Sequence, residues 1–82
     1  MHTAEMIENL CWNILCLRII HRLSKKEMAS RLGISVSSLR KLEVGGPLPR
    51  VSFEVLYRIT STFGISAETL LETRLVDIEP YL

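Results

Sequence analysis

Helix starts and stops, spaced at short intervals, constrain this chain more than any other feature. Ser24-Lys25-Lys26-Glu27 is a capping box, in which the serine hydroxyl and the glutamate carboxylate each take an orphan amide at a helix start. Gly33 then supplies a stop, because glycine takes the left-handed conformation that ends a helix at little cost. The helix between them has room for only about eight residues. Ser35 caps a third helix running to about Val44, and Gly45-Gly46-Pro47-Leu48-Pro49 breaks it. Ser52 caps a fourth, Phe53 to Phe63, closed by Gly64, and Ser66 opens a fifth carrying Leu70 and Leu71. Ahead of them all, Ala4 to Arg22 follows Thr3 as a cap and repeats apolar residues at spacings of three and four. No strict alternation and no Asn-Gly or Asp-Gly pair suggests a strand. An all-α chain of five short helices is the expectation.

A chain of 82 residues is one domain, 1–82, and 48% hydrophobic residues suffice for a core. No apolar run approaches the ~20 residues that cross a bilayer, so no membrane partner is expected. The start, Met-His-Thr-Ala-Glu, lacks the basic and apolar blocks of a secretory signal, which makes the cytoplasm the expected location. Cys11 and Cys16 lie about 140° apart around one helix, a poor geometry for a bridge; reduced, buried thiols are expected. Together with His21 they recur at steps of five, which scatters ligands around a helix, so no metal is expected. No motif sets a nucleophile beside a base, and the chain does not read as an enzyme or as a cofactor carrier. Trp12 reads as a core or interface anchor.

The formal charge of +1 conceals a division. Residues 1–17 carry Glu5 and Glu8, net −2. Residues 18–50 carry Arg18, Arg22, Lys25, Lys26, Arg31, Arg40, Lys41 and Arg50 against Glu27 and Glu43, net +6. Residues 51–82 carry Arg58 and Arg74 against Glu54, Glu68, Glu72, Asp77 and Glu79, net −3. A charge field acts over about a Debye length, ~8 to 10 Å at ordinary salt, so the middle third can attract a polyanion despite the neutral total.

Two short helices joined by a glycine-containing turn, with cations around them, form the arrangement that lays a second helix in the DNA major groove. The third helix has the required two faces. At about 100° per residue, Val36, Arg40, Val44, Ser37 and Lys41 fall within one arc of about 140°, while Leu39, Leu42 and Ser35 fall opposite.

The residues of this region carry a resemblance. Leu17-Arg18, Leu23 through Ala29, Leu32-Gly33-Ile34-Ser35, Leu39, Leu42-Glu43, Gly45, Leu56, Ile59, Phe63-Gly64-Ile65-Ser66 and Leu70-Leu71 are jointly spaced as in one known family. The chain resembles, over about residues 14–72, the five-helix helix-turn-helix domain of phage repressors, Cro and their XRE-like relatives. The resemblance implies a lambda-repressor-like fold, double-stranded DNA as partner and regulation of transcription; a homodimer is expected on energetic grounds, since one module covers only ~600 to 1,000 Å² of DNA. It also implies roles: Val36, Ser37, Arg40 and Lys41 toward base edges; Lys25, Lys26, Ser38 and Arg50 on phosphates; Arg18 and Glu43 as a structural ion pair between the first and third helices. Relatives often present Gln, Arg or Asn where this chain has Val36 and Ser37, which shifts base reading toward Arg40 and Lys41.

The tail, 73–82, is apolar at Leu75, Val76, Ile78, Tyr81 and Leu82, which suggests a dimer contact. No small-molecule effector is evident. The alternative is a protein-interaction module of the same fold, antitoxin-like or an assembly domain, with weak or no specific DNA binding.

Overall fold

The computed structural model describes residues 4–43 and 52–75. Within them lie five α-helices and no strand: α1 (Ala4–Ile20), α2 (Lys25–Leu32), α3 (Val36–Glu43), α4 (Phe53–Phe63) and α5 (Ala67–Glu72). Thr3, Val44, the turn 45–49, Arg50 and the tail from Val76 to Leu82 lie outside the described residues.

The caps act as the sequence implies. Ser24 Oγ accepts from the Glu27 amide and the Glu27 carboxylate accepts from the Ser24 amide, both at 3.0 Å. The bond to the Ser24 amide is the main reason that the Glu27 carboxyl lies below the usual carboxylate range. Ser35 Oγ accepts from the Ser38 amide at 3.0 Å, and Ser52 and Ser66 accept from Val55 and Thr69, each at 3.2 Å. Gly33 (φ 69) and Gly64 (φ 66) end α2 and α4 in the left-handed conformation.

One boundary differs. α1 stops at Ile20, two residues before the periodic pattern ends, because Arg22 adopts a left-handed φ of 53. The Arg22 amide donates to the Ile19 carbonyl at 3.1 Å and the Leu23 amide to the Arg18 carbonyl at 2.9 Å, which closes the helix as a glycine would. A non-glycine residue in this conformation costs roughly 1 kcal/mol or more, so nothing in the sequence announces the stop.

Leu10, Ile14 and Leu17 of α1 meet Met28, Leu32, Leu39, Leu42, Ile59 and Leu70 in one core. α1 also makes a polar contact, with α5. Asn9 and Asn13, one turn apart, are both buried and face α5. Asn13 Nδ2 donates to the Leu70 and Thr73 carbonyls at 2.8 and 2.7 Å, and its Oδ1 accepts from the Leu75 amide at 2.8 Å. Asn9 Nδ2 donates to the Leu71 carbonyl at 2.9 Å while Oδ1 accepts from Arg74 Nε at 2.8 Å. The Leu70 and Leu71 carbonyls, which the end of α5 leaves without helical partners, are thus satisfied by α1. Trp12 is 38% exposed rather than in the core. Cys11 is half-buried and Cys16 buried, both free thiols, and burial pushes both up from the usual thiol range, with Glu8 adding to the effect at Cys11. No helix among the described residues is long and apolar enough to cross a membrane.

Candidate nucleic-acid interface

The turn between α2 and α3 is fixed from both sides. The Gly33 amide donates to the Ser30 carbonyl at 3.2 Å and the Ile34 amide to the Ala29 carbonyl at 3.0 Å. A Cβ on Gly33 would lie 3.0 Å from Arg58 Cζ, so the α4 guanidinium lies over the bare glycine. Met28, Ala29 and Leu32 on α2 and Leu39 and Leu42 on α3 are buried, and α3 is therefore held by one face.

At its far end α3 is tied to α1. Arg18 Nε donates to Glu43 Oε2 at 2.8 Å, with the Arg18 side chain 18% and the Glu43 side chain 4% exposed. Arg18 Nη1 also reaches the Leu23 carbonyl at 3.3 Å, so the same guanidinium braces the residue before the α2 cap.

The opposite face of α3 is exposed among the described residues. Ser37, Ser38, Arg40 and Lys41 are exposed, as are Lys25 and Lys26 at the start of α2. Val36 is only half-exposed and packs in part against the core, which leaves it less surface than its neighbours. The Ser35 hydroxyl donates to Ser38 Oγ at 3.0 Å, so Ser38 keeps its own proton to donate outward. Arg50 lies outside the described residues.

Charge on this side is unbalanced. Both acids of the middle third are engaged, Glu27 at the α2 cap and Glu43 with Arg18. Arg22, Lys25, Lys26, Arg40 and Lys41 are exposed and form no ion pair among the described residues. Arg31, also exposed, acts on Glu27 only through space. Among the described residues, the exposed cations of this stretch therefore outnumber its one exposed carboxylate, Glu27, around a helix with small side chains.

A family model described as Helix-turn-helix matches residues 17–70. The chain belongs to this family, in its XRE-like branch. The match covers most of the chain and contains α2, α3 and α4 whole, so the helix-turn-helix and its brace from Arg18 fall within it. The helix-turn-helix domain has the lambda-repressor-like all-α fold, and the family is a DNA-binding one of transcription-regulator type rather than an enzyme family. No match was found among the curated proteins or among the solved structures.

Residue-by-residue reading of the sequence missed two things in this helix-turn-helix domain. Asn9 and Asn13 carry no local signal that links them to carbonyls some sixty residues on. Arg22 was counted in the charge of the middle third but given no site, because a left-handed arginine has no sequence signature.

Proposed function

We propose that this helix-turn-helix domain binds specific sequences in duplex DNA as a homodimer, with α3 in the major groove, and so acts as a repressor-like regulator of transcription. The observation that carries the reading is the two-sidedness of α3. One side is anchored by Leu39, Leu42 and Glu43, and the other offers Ser37, Arg40 and Lys41, all exposed.

On this reading Arg40 and Lys41 provide most of the base recognition, since a cation with two donors in reach can bond guanine O6 and N7. Ser37 bonds either base type, and the exposed edge of Val36 touches a thymine methyl. Lys25, Lys26, Ser38 and Arg50 hold phosphates and set the register of the helix. A homodimer fits the energetics, because one module covers only ~600 to 1,000 Å² of DNA, and two bound about 34 Å apart read a palindrome. The acidic and apolar tail is the proposed dimer contact.

A titration of duplex DNA at several salt concentrations tests the reading, with the mass of the complex measured by light scattering. Log K is expected to fall with log salt by roughly 0.9 for each phosphate neutralised, with two chains per duplex. Absence of binding, or binding with no salt slope, would count against it.

A protein-interaction module is the second reading. It is favoured by the exposed aromatic residues Phe53 and Tyr57 on α4, 82% and 69% exposed, and by Trp12 and Ile19 on α1. Changing Arg40 and Lys41 together to Ala separates the two: a DNA-binding domain loses its affinity for duplex, and an interaction module keeps its protein complex.

A further inference from the structure

Three of the described helices end on a left-handed residue, and two of those residues are glycine. Gly33 and Gly64 follow α2 and α4; Arg22, with φ 53, follows α1. Arg22 and Gly33 occupy the same hydrogen-bonded motif. In each, the amide of the left-handed residue bonds the carbonyl three residues earlier, and the next amide bonds the carbonyl five residues before it. An L side chain is disfavoured there by contact of its Cβ with the neighbouring carbonyl. Glycine at position 22 would relieve that contact, so the arginine is held in spite of the local backbone and not because of it.

The surroundings indicate what the side chain does. Arg18, Arg58 and Arg74 are each occupied by a carboxylate, Glu43, Glu54 and Glu8 respectively. Arg22 is exposed and its guanidinium has no partner among the described residues. Its turn is nevertheless tied to the fold: Arg18 Nη1 donates to the Leu23 carbonyl, and the His21 ring lies 4.9 Å from that of Phe63. Lys25 and Lys26 follow within one turn of chain, also exposed. The nearest carboxylate in sequence, Glu27, is bound to the Ser24 amide. A turn tied to the fold, an unpaired planar cation and two neighbouring cations suit the two-pronged recognition of a phosphate.

We propose that Arg22 is a further DNA-binding residue, gripping a backbone phosphate next to those taken by Lys25 and Lys26. The assignment rests on the DNA-binding reading above and adds to it a contact at the α1–α2 turn. A structural role makes the opposite prediction: a cation at the C-terminal end of α1 complements the helix dipole, so its removal would destabilise the fold.

Arg22→Gly and Arg22→Lys, each in the full chain, separate these. Arg22→Gly is expected to unfold at the same or a higher urea concentration than the unaltered chain, since glycine relaxes the turn. On duplex DNA near 0.1 M salt its affinity is expected to fall roughly fivefold to tenfold, and the salt slope by about 0.9 per chain. Arg22→Lys keeps the charge and is expected to keep the slope. Unchanged affinity and slope in Arg22→Gly, beside salt-dependent binding by the unaltered chain, overturns the Arg22 assignment alone. A lower unfolding midpoint in Arg22→Gly gives Arg22 to the helix dipole and overturns it too. If the unaltered chain binds no duplex, the assignment and the DNA-binding reading fall together.

Discussion

Glu43 does two things at once: it ends the buried side of α3 and it neutralises Arg18, whose other nitrogen steadies the residue before the α2 cap. Three helices are therefore registered by one guanidinium. Removing one member of such a pair leaves a charge with little water around it. Glu43→Ala is expected to cost about 3 kcal/mol, the low end for a buried pair because Arg18 retains some exposure. Replacing both residues with apolar ones, Arg18→Met with Glu43→Leu, is expected to cost less than Glu43→Ala alone. Urea unfolding of the three chains checks the order; a double variant less stable than the single one would mean that the pair contributes attraction rather than avoided desolvation. Both residues were legible in the sequence because their positions fall in a familiar pattern. The half-burial of Val36 was not, since a helical wheel places a side chain on an arc but cannot say how high the neighbouring core rises against it.

At the scale of elements, serine and glycine marked nearly every boundary correctly, because a cap is a local event: Ser24 and Glu27, Ser35, Ser52, Gly33, Gly64 and Ser66 all act within four residues of themselves. What local signals cannot report is a helix held from a distance. α5 has only six residues, too short to be stable alone, and its last carbonyls are met by Asn9 and Asn13 of α1. Asn13→Ala removes three bonds from a fully buried site and leaves the Leu70 and Thr73 carbonyls and the Leu75 amide unmatched. A loss of about 2 to 3 kcal/mol is expected. Amide exchange should rise first in α5 and the segment after it, while α2 and α3 keep their protection. Uniform loss of protection across all five helices would show that α5 is not a separable unit.

For the whole molecule, the net charge of +1 says nothing of partners, because it sums segments of opposite sign. Glu27 and Glu43 are used internally, and the cations of α2, α3 and the turn before them are left facing outward. Fold and family were both legible in the sequence, through the spacing of core and cap residues; partner geometry was not, because it depends on a second chain and on DNA. The base-reading surface was legible only as an arc of residue types. The most direct measurement is a comparison of two duplexes, one selected from a random library by this chain and one with the same bases scrambled, titrated with the unaltered chain and with Arg40→Ala/Lys41→Ala. The account predicts that the unaltered chain prefers the selected duplex by on the order of a thousandfold, and that the double variant loses that preference while retaining weak, salt-sensitive binding to both. Equal affinity of the unaltered chain for both duplexes, or an undiminished preference in the double variant, would contradict it.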